Sequence, residues 1–147
     1  MSNYHGVGRT NYFRVKDPEL FKNDLINNYG GIDISSEERI SESDPSITET
    51  WFCLFDDNSD GCGWGIYKIN EDDEEEVPER VELIDILPQY LVDTDVAVIV
   101  EAGSEKYIYL VGVASAVNSK GQTVSISIDD IYGQARTLGS VITHASF

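Results

Sequence analysis

At 147 residues the chain fits one domain of common size, long enough to bury roughly two-thirds of its unfolded surface and to fold without a disulfide or metal staple. Aromatics make up 10% of it, too many for a disordered chain, and its formal net charge of −17 repels nucleic acid and anionic membranes while attracting basic surfaces. Two cysteines without zinc spacing, an opening Met-Ser-Asn-Tyr-His-Gly that is no signal peptide, and the lack of an apolar run of spanning length point to a soluble cytoplasmic protein.

Residues 1–8 hold two glycines and no pattern, and read as a loose arm. Residues 9–16 alternate, with Tyr12 opposite Phe13 and Val15, as a strand does. Asp17-Pro18-Glu19 then has the chemistry of a helix start: a capping carboxylate, proline at the first helical position and an acid in the first turn. Leu20, Phe21, Leu25 and Ile26 fall on or near one face of that helix, and residues 27–31 end it with glycine. Residues 32–34 read as a short strand and 35–49, rich in Ser and Glu, as a loop. Two aromatic strands follow, 49–55 and 63–69, joined by turn residues as a β-hairpin.

Residues 81–92 suit a short helix kinked at Pro88. A meander follows, with strands at 96–100, 106–117 and 123–128 and turns at Ala102-Gly103-Ser104 and Asn118-Ser119-Lys120-Gly121. A helix over 129–138, capped by Ser127 or Asp129 and stopped at Gly139, and a last strand at Val141 and Ile142 complete the chain. The expected architecture is a single α+β domain over residues 1–147: a mainly antiparallel sheet of five to seven strands with two or three helices on one face.

The charge is not spread evenly. Residues 33–105 carry 22 acids against Arg39, Lys68 and Arg80, while each end has a net charge of +1. Glu71, Asp72, Asp73, Glu74, Glu75 and Glu76 form an unbroken run, which repels itself and stays in water. Such a run is most simply a solvated loop. Segregation adds something that general solubility does not require, a one-sided field resembling the phosphate array that basic nucleic-acid-binding proteins recognise. The candidate partner-binding residues are therefore Asp56, Asp57, Asp60, Glu71 to Glu76 and Glu79, with Glu37, Glu38, Glu42 and Asp44 as a second cluster. Trp51 and Trp64 are candidate anchors wherever they face outward.

Other constellations carry less. Asp56-Asp57-Asn58-Ser59-Asp60-Gly61 matches the first half of a calcium loop, but the twelfth position is Tyr67 and not a bidentate Glu. A hairpin turn is expected there, with a weak adventitious cation site as the other reading. Cys53 and Cys62 read as reduced residues of the hairpin, and His5 and His144 form no ligand cluster. Glu101 is the best acid–base candidate, with an ion pair to Lys106 as its simpler role. No phosphate-binding glycine motif is complete, and no cofactor is implied. Arg9, Arg14 and Lys16 are too few for a nucleic-acid surface and suit internal pairing with the acidic middle.

The stretches Arg9-Thr10-Asn11-Tyr12-Phe13-Arg14-Val15-Lys16-Asp17, Val98-Ile99-Val100-Glu101-Ala102-Gly103-Ser104-Glu105-Lys106-Tyr107 and Asn118-Ser119-Lys120-Gly121 resemble small acidic proteins of phages, plasmids and other mobile elements. The resemblance covers the ends of the chain. It implies action in the cytoplasm of a bacterial host, where such proteins often inhibit host defence as anti-restriction or anti-CRISPR proteins. The resulting expectation is a non-enzymatic inhibitor that presents a DNA-mimic-like acidic surface to a basic nucleic-acid-binding protein or nuclease complex. It would bind neither nucleic acid nor membrane. The alternative is an acidic adaptor or structural protein that binds through the apolar side of the meander or the aromatic hairpin.

Overall fold

The computed structural model describes residues 4–57, 61–69, 78–105 and 109–145. The run Glu71 to Glu76, Asp60 and Lys106 lie outside the described residues. In chain order the elements are β1 (Tyr4–Thr10), α1 (Pro18–Asn28), β2 (Tyr29–Gly30), β3 (Ile32–Ile40), β4 (Thr48–Asp56), β5 (Tyr67–Lys68), α2 (Leu83–Ile86) with a following 3-10 turn (Leu87–Gln89), β6 (Ala97–Glu105), β7 (Tyr109–Val117), β8 (Thr123–Ser127) and α3 (Asp130–Ala135). Six strands form one antiparallel sheet in the order β3-β4-β1-β6-β7-β8, and β2 pairs with β5 beside it. This is the α+β architecture expected from the sequence.

The helix start at Asp17 forms as its chemistry requires: the Leu20 N–H donates to the Asp17 carboxylate at 3.1 Å, and Pro18 opens the helix. Phe21 and Leu25 carry α1 onto the sheet, while Leu20 and Ile26 stay exposed. The helix thus buries a narrower stripe than the sequence suggested. Phe21 is the hub of the core. Its ring meets Phe13, Phe52 and Tyr90 edge-on, with centroids 5.9, 5.1 and 5.1 Å away. Leu54, Ile66, Leu83, Ile86, Leu87 and Leu91 close the core around it.

Several expectations are corrected. Residues 4–8 are not an arm; they belong to β1, a central strand paired along its length with β6. The strand expected over 9–16 starts earlier and stops at Thr10, beyond which Phe13 and Val15 make single bridges to Phe52 and Leu91. The segment 35–40 is not loop. It extends β3 to nine residues paired with β4, leaving only 41–47 as the connection. The aromatic hairpin does not form, because β4 lies between β3 and β1 and only Tyr67 and Lys68 of the second segment are strand, paired with β2. Ala102-Gly103-Ser104 is no turn but the middle of β6. The last helix ends at Ala135, and Val141 and Ile142 form no strand.

α1 and α2 cover one face of the sheet. The other face at the β6–β7–β8 end presents Val100, Ala102, Ala114, Ile126 and Ile128, and α3 flanks it through Ile131 and Gln134.

Candidate protein-binding surfaces

Asp56 ends β4 and is only 8% exposed. Its carboxylate accepts a hydrogen bond from the buried Gly8 N–H of β1. Two residues further along β1, Thr10 is buried as well, and its hydroxyl oxygen accepts from the Leu54 N–H at 2.9 Å. Side chains thus supply bonds along a seam where β1 and β4 share the single register pair Arg9 with Phe55. Asp56 is therefore removed from the partner-binding set, because a buried carboxylate already holding a backbone N–H is structural.

The other described acids do face solvent, but at separate places. Asp57 and Glu79 are exposed near β2 and β5, where the Glu79 carbonyl accepts the Lys68 N–H at 2.8 Å. Glu82 and Asp85 continue that exposed acidic margin along α2. Glu42 and Asp44 occupy the β3–β4 connection. The Ser46 hydroxyl and N–H donate to Asp44 at 2.7 and 3.0 Å and hold its carboxyl below the ordinary value. Glu38 accepts from the Thr50 hydroxyl at 2.9 Å, and Glu37 pairs with Arg39. The two groups lie at opposite ends of the nine-residue β4, about 27 Å apart at ~3.4 Å per residue. The structure does not bring them into one cluster.

Arg14, Lys16 and Arg39 pair with acids of the middle segment. The Arg14 guanidinium donates to Asp95 at 2.7 and 3.0 Å and pairs with Glu49. Burial alone would raise the Asp95 carboxyl, but the hydrogen bonds and charge of Arg14 outweigh it and hold it below the ordinary value. The same contacts raise Arg14 further above its already high value. Lys16 lies 3.9 Å from Asp93. Arg14 and Arg39 also clasp the Trp51 ring, at 4.8 and 4.9 Å from its centroid, and Arg39 reaches Tyr12 at 5.0 Å. The Trp51 indole N–H is buried and meets no acceptor among the described residues. This arginine–aromatic clasp was not foreseen. Its signal is the same-face spacing of Tyr12 and Arg14 and of Glu37 and Arg39.

Neither tryptophan is an outward anchor. Trp51 is occupied by two guanidiniums, and the Trp64 ring packs over Gly8 while its Nε1–H donates to the Val100 carbonyl at 3.1 Å. Glu101 is held beneath that tryptophan, accepting the Trp64 backbone N–H at 2.8 Å and the Tyr4 hydroxyl at 3.4 Å. Burial and then the Glu101 charge push the Tyr4 hydroxyl above its ordinary value. Cys53 is buried with its thiol toward the Thr10 carbonyl at 3.1 Å, and neither it nor Cys62 forms a disulfide. His144 lies against the Tyr132 ring at 4.3 Å. Among the described residues no group of three or more His, Cys, Asp or Glu is placed to hold a metal ion, and no helix is long and apolar enough to cross a membrane.

The second surface is apolar. Val100, Ala102, Gly112 and Ala114 floor a groove of about 610 Å³, walled by Ile126, Ile128 and Ile131. Gly112 is needed there, since a Cβ on it would lie 2.7 Å from Ile128. Val7 on β1 and Val124 and Ile126 on β8 are all more than half exposed. Comparison with known protein families, with curated proteins and with solved structures finds no match for this chain.

Proposed function

We propose that the protein is a non-enzymatic inhibitor that presents its acidic surface to a basic nucleic-acid-binding protein, a nuclease or defence complex of a bacterial host, in the manner of a DNA mimic. The observation that carries this reading is the disposal of charge. Arg14 and Arg39 are engaged with Glu37, Glu49 and Asp95, whereas Asp33, Glu42, Asp57, Glu79, Glu82 and Asp85 face solvent. A field so weakly compensated steers a basic partner and weakens in salt. Asp57 and Glu79 flank the run Glu71 to Glu76 in sequence and belong with it in the working set; Asp56 does not.

The test is capture of the partner from host lysate by the full chain at ~0.1 M and then ~0.5 M salt, where exposed charges are largely screened. Binding lost at the higher salt, and lost again when Glu71, Asp72, Asp73, Glu74, Glu75 and Glu76 are changed to their amides, supports inhibition by charge. Binding unchanged by the amide variant, with circular dichroism showing it folded, overturns it. The second reading, an adaptor that binds through apolar contacts, draws on the open groove beside α3 and predicts capture that persists at ~0.5 M salt.

A further inference from the structure

The two edges of the large sheet are built differently. β3 carries Asp33, Glu37, Glu38 and Arg39, and charge along an edge discourages another strand from pairing with it. β8 reads Thr-Val-Ser-Ile-Ser, has neither charge nor proline, and ends the sheet. The Ile128 N–H donates to the Gly112 carbonyl at 2.8 Å, which sets the phase of the β7–β8 ladder. Val124 and Ile126 turn their backbone groups toward Ala116 and Ala114, and Thr123, Ser125 and Ser127 turn theirs outward. The Ser127 N–H is capped by the Asp130 carboxylate at 2.8 Å. The outward groups of Thr123 and Ser125 meet no strand among the described residues.

We infer that β8 pairs antiparallel with β8 of a second copy, about a two-fold axis through Ser125. Thr-Val-Ser-Ile-Ser is nearly palindromic in size and chemistry, so reversal sets Val124 against Ile126 of the second copy and Thr123 against Ser127. Ser125 then exchanges both backbone hydrogen bonds with its equivalent. At each end the outward Ser127 N–H is already held by the Asp130 carboxylate, which stands where the Thr123 carbonyl of the second copy would come, so the ladder is confined to the central Ser125 pair with Val124 and Ile126 packed across it. That internal cap ends the pairing on both sides, so the contact closes on itself as an isologous dimer requires.

Charge selects a second copy as the occupant. The molecule as a whole carries −17, yet residues 106–147 hold three bases and two acids. Around β8, Lys120 and Arg136 balance Asp129 and Asp130. Two copies meeting at this balanced border incur less repulsion than copies meeting through the charged β3 border. A five-residue strand pair is smaller than the roughly 800 Å² per partner of a standard interface. Ile128 and Ile131 stand exposed beside it and supply apolar surface for the remainder. The pairing is independent of the acidic surface and of what that surface binds.

Sedimentation of the full chain at about 50 µM, a concentration that populates any dimer tighter than ~10 µM, reads the mass. The expected mass is twice the 16.4 kDa of one chain. Ser125→Pro removes an outward N–H and the 2.9 Å hydroxyl bond to Ser115, leaves the backbone hydrogen bonds of the β7 ladder intact and should give a monomer, as should Ile126→Lys. Ile40→Lys on the β3 edge should remain dimeric. Hydrogen exchange supplies a readout that needs no variant: the Ser125 amide should become protected as the protein is concentrated. A wild-type mass of one chain, an undisturbed dimer in folded Ser125→Pro, or dissociation by Ile40→Lys overturns the inference.

Discussion

Asp56→Ala separates a structural acid from a recognition acid. In the wild type the buried Gly8 N–H has the Asp56 carboxylate as its acceptor. Removing that carboxylate deletes a hydrogen bond to a charged group and strands a buried donor, a combined cost of about 2–3 kcal/mol. Against a total stability of roughly 5–15 kcal/mol this is a large fraction. It corresponds to a fall in Tm of about 4–12 °C for a chain of this size. Asp56→Asn keeps a neutral acceptor at the same place and should lose only about 1 kcal/mol. Urea unfolding followed by tryptophan fluorescence measures both, with Glu79→Gln as the exposed comparison expected to stay within ~0.5 kcal/mol of wild type. Affinity for a basic partner should behave in the opposite way, falling in Glu79→Gln and holding in Asp56→Asn. An Asp56→Ala protein as stable as Glu79→Gln would refute the assignment of Asp56 to the β1–β4 seam.

Phe21→Ala removes the ring on which Phe13, Phe52 and Tyr90 converge, and should cost about 3–5 kcal/mol in the same unfolding assay; a loss below 1 kcal/mol would place the hub elsewhere. The Asp95 carboxyl is held below its ordinary value, so the stability it contributes is present above pH 3.8 and is lost as pH falls through its depressed value. The gap between wild type and Asp95→Asn should be about 2 kcal/mol at pH 7 and should close in strong acid. Burial and a 2.8 Å bond to Asp24 raise the Tyr90 hydroxyl, so its contribution is complete below pH 10 and is lost as pH climbs above that value. Tyr90→Phe should flatten that alkaline loss.

The helix cap at Asp17, the kinked segment at Pro88 and the β6–β7–β8 meander were legible because each rests on local chemistry or on an unbroken β-branched pattern. β1 was not, and the reason is steric. On its core-facing side stand Gly6 and Gly8, and the space a side chain would fill is taken by the Tyr4 and Trp64 rings. The buried half of the alternation is supplied by residues elsewhere in the chain, so a central strand reads as a glycine arm. Gly103 looked like a turn for the same reason, since the Tyr4 ring and the His5 carbonyl lie where its Cβ would be.

β3 was misread for the opposite cause. Ser35, Ser36, Glu37 and Glu38 have the composition of a loop, but an edge strand is where a sheet places charge. The expected aromatic hairpin failed because adjacency in sequence was given more weight than burial. Trp51 to Phe55 needed neighbours on both sides, which β3 and β1 provide, and Trp64 serves as a plug over Gly8. Of the candidate site, the exposure of Asp57 and Glu79 was legible from charge alone. The burial of Asp56 was not, because the donor it serves belongs to a strand 48 residues earlier.

The same sheet therefore sorts its two borders by chemistry, charged at β3 and uncharged at β8. That separation makes the two proposed contacts respond to salt in opposite directions. A contact between the acidic margin and a basic partner is an attraction, and screening weakens it. A contact between two copies brings two bodies of the same sign together through a neutral strand, so screening removes a repulsion and strengthens it. Raising salt from ~0.1 to ~0.5 M, where the Debye length shrinks from about 10 Å to under 5 Å, should release the partner and tighten the dimer in one titration. A single surface serving both contacts would move them together, and Ser125→Pro would then disturb capture of the partner as well as the mass of the free protein.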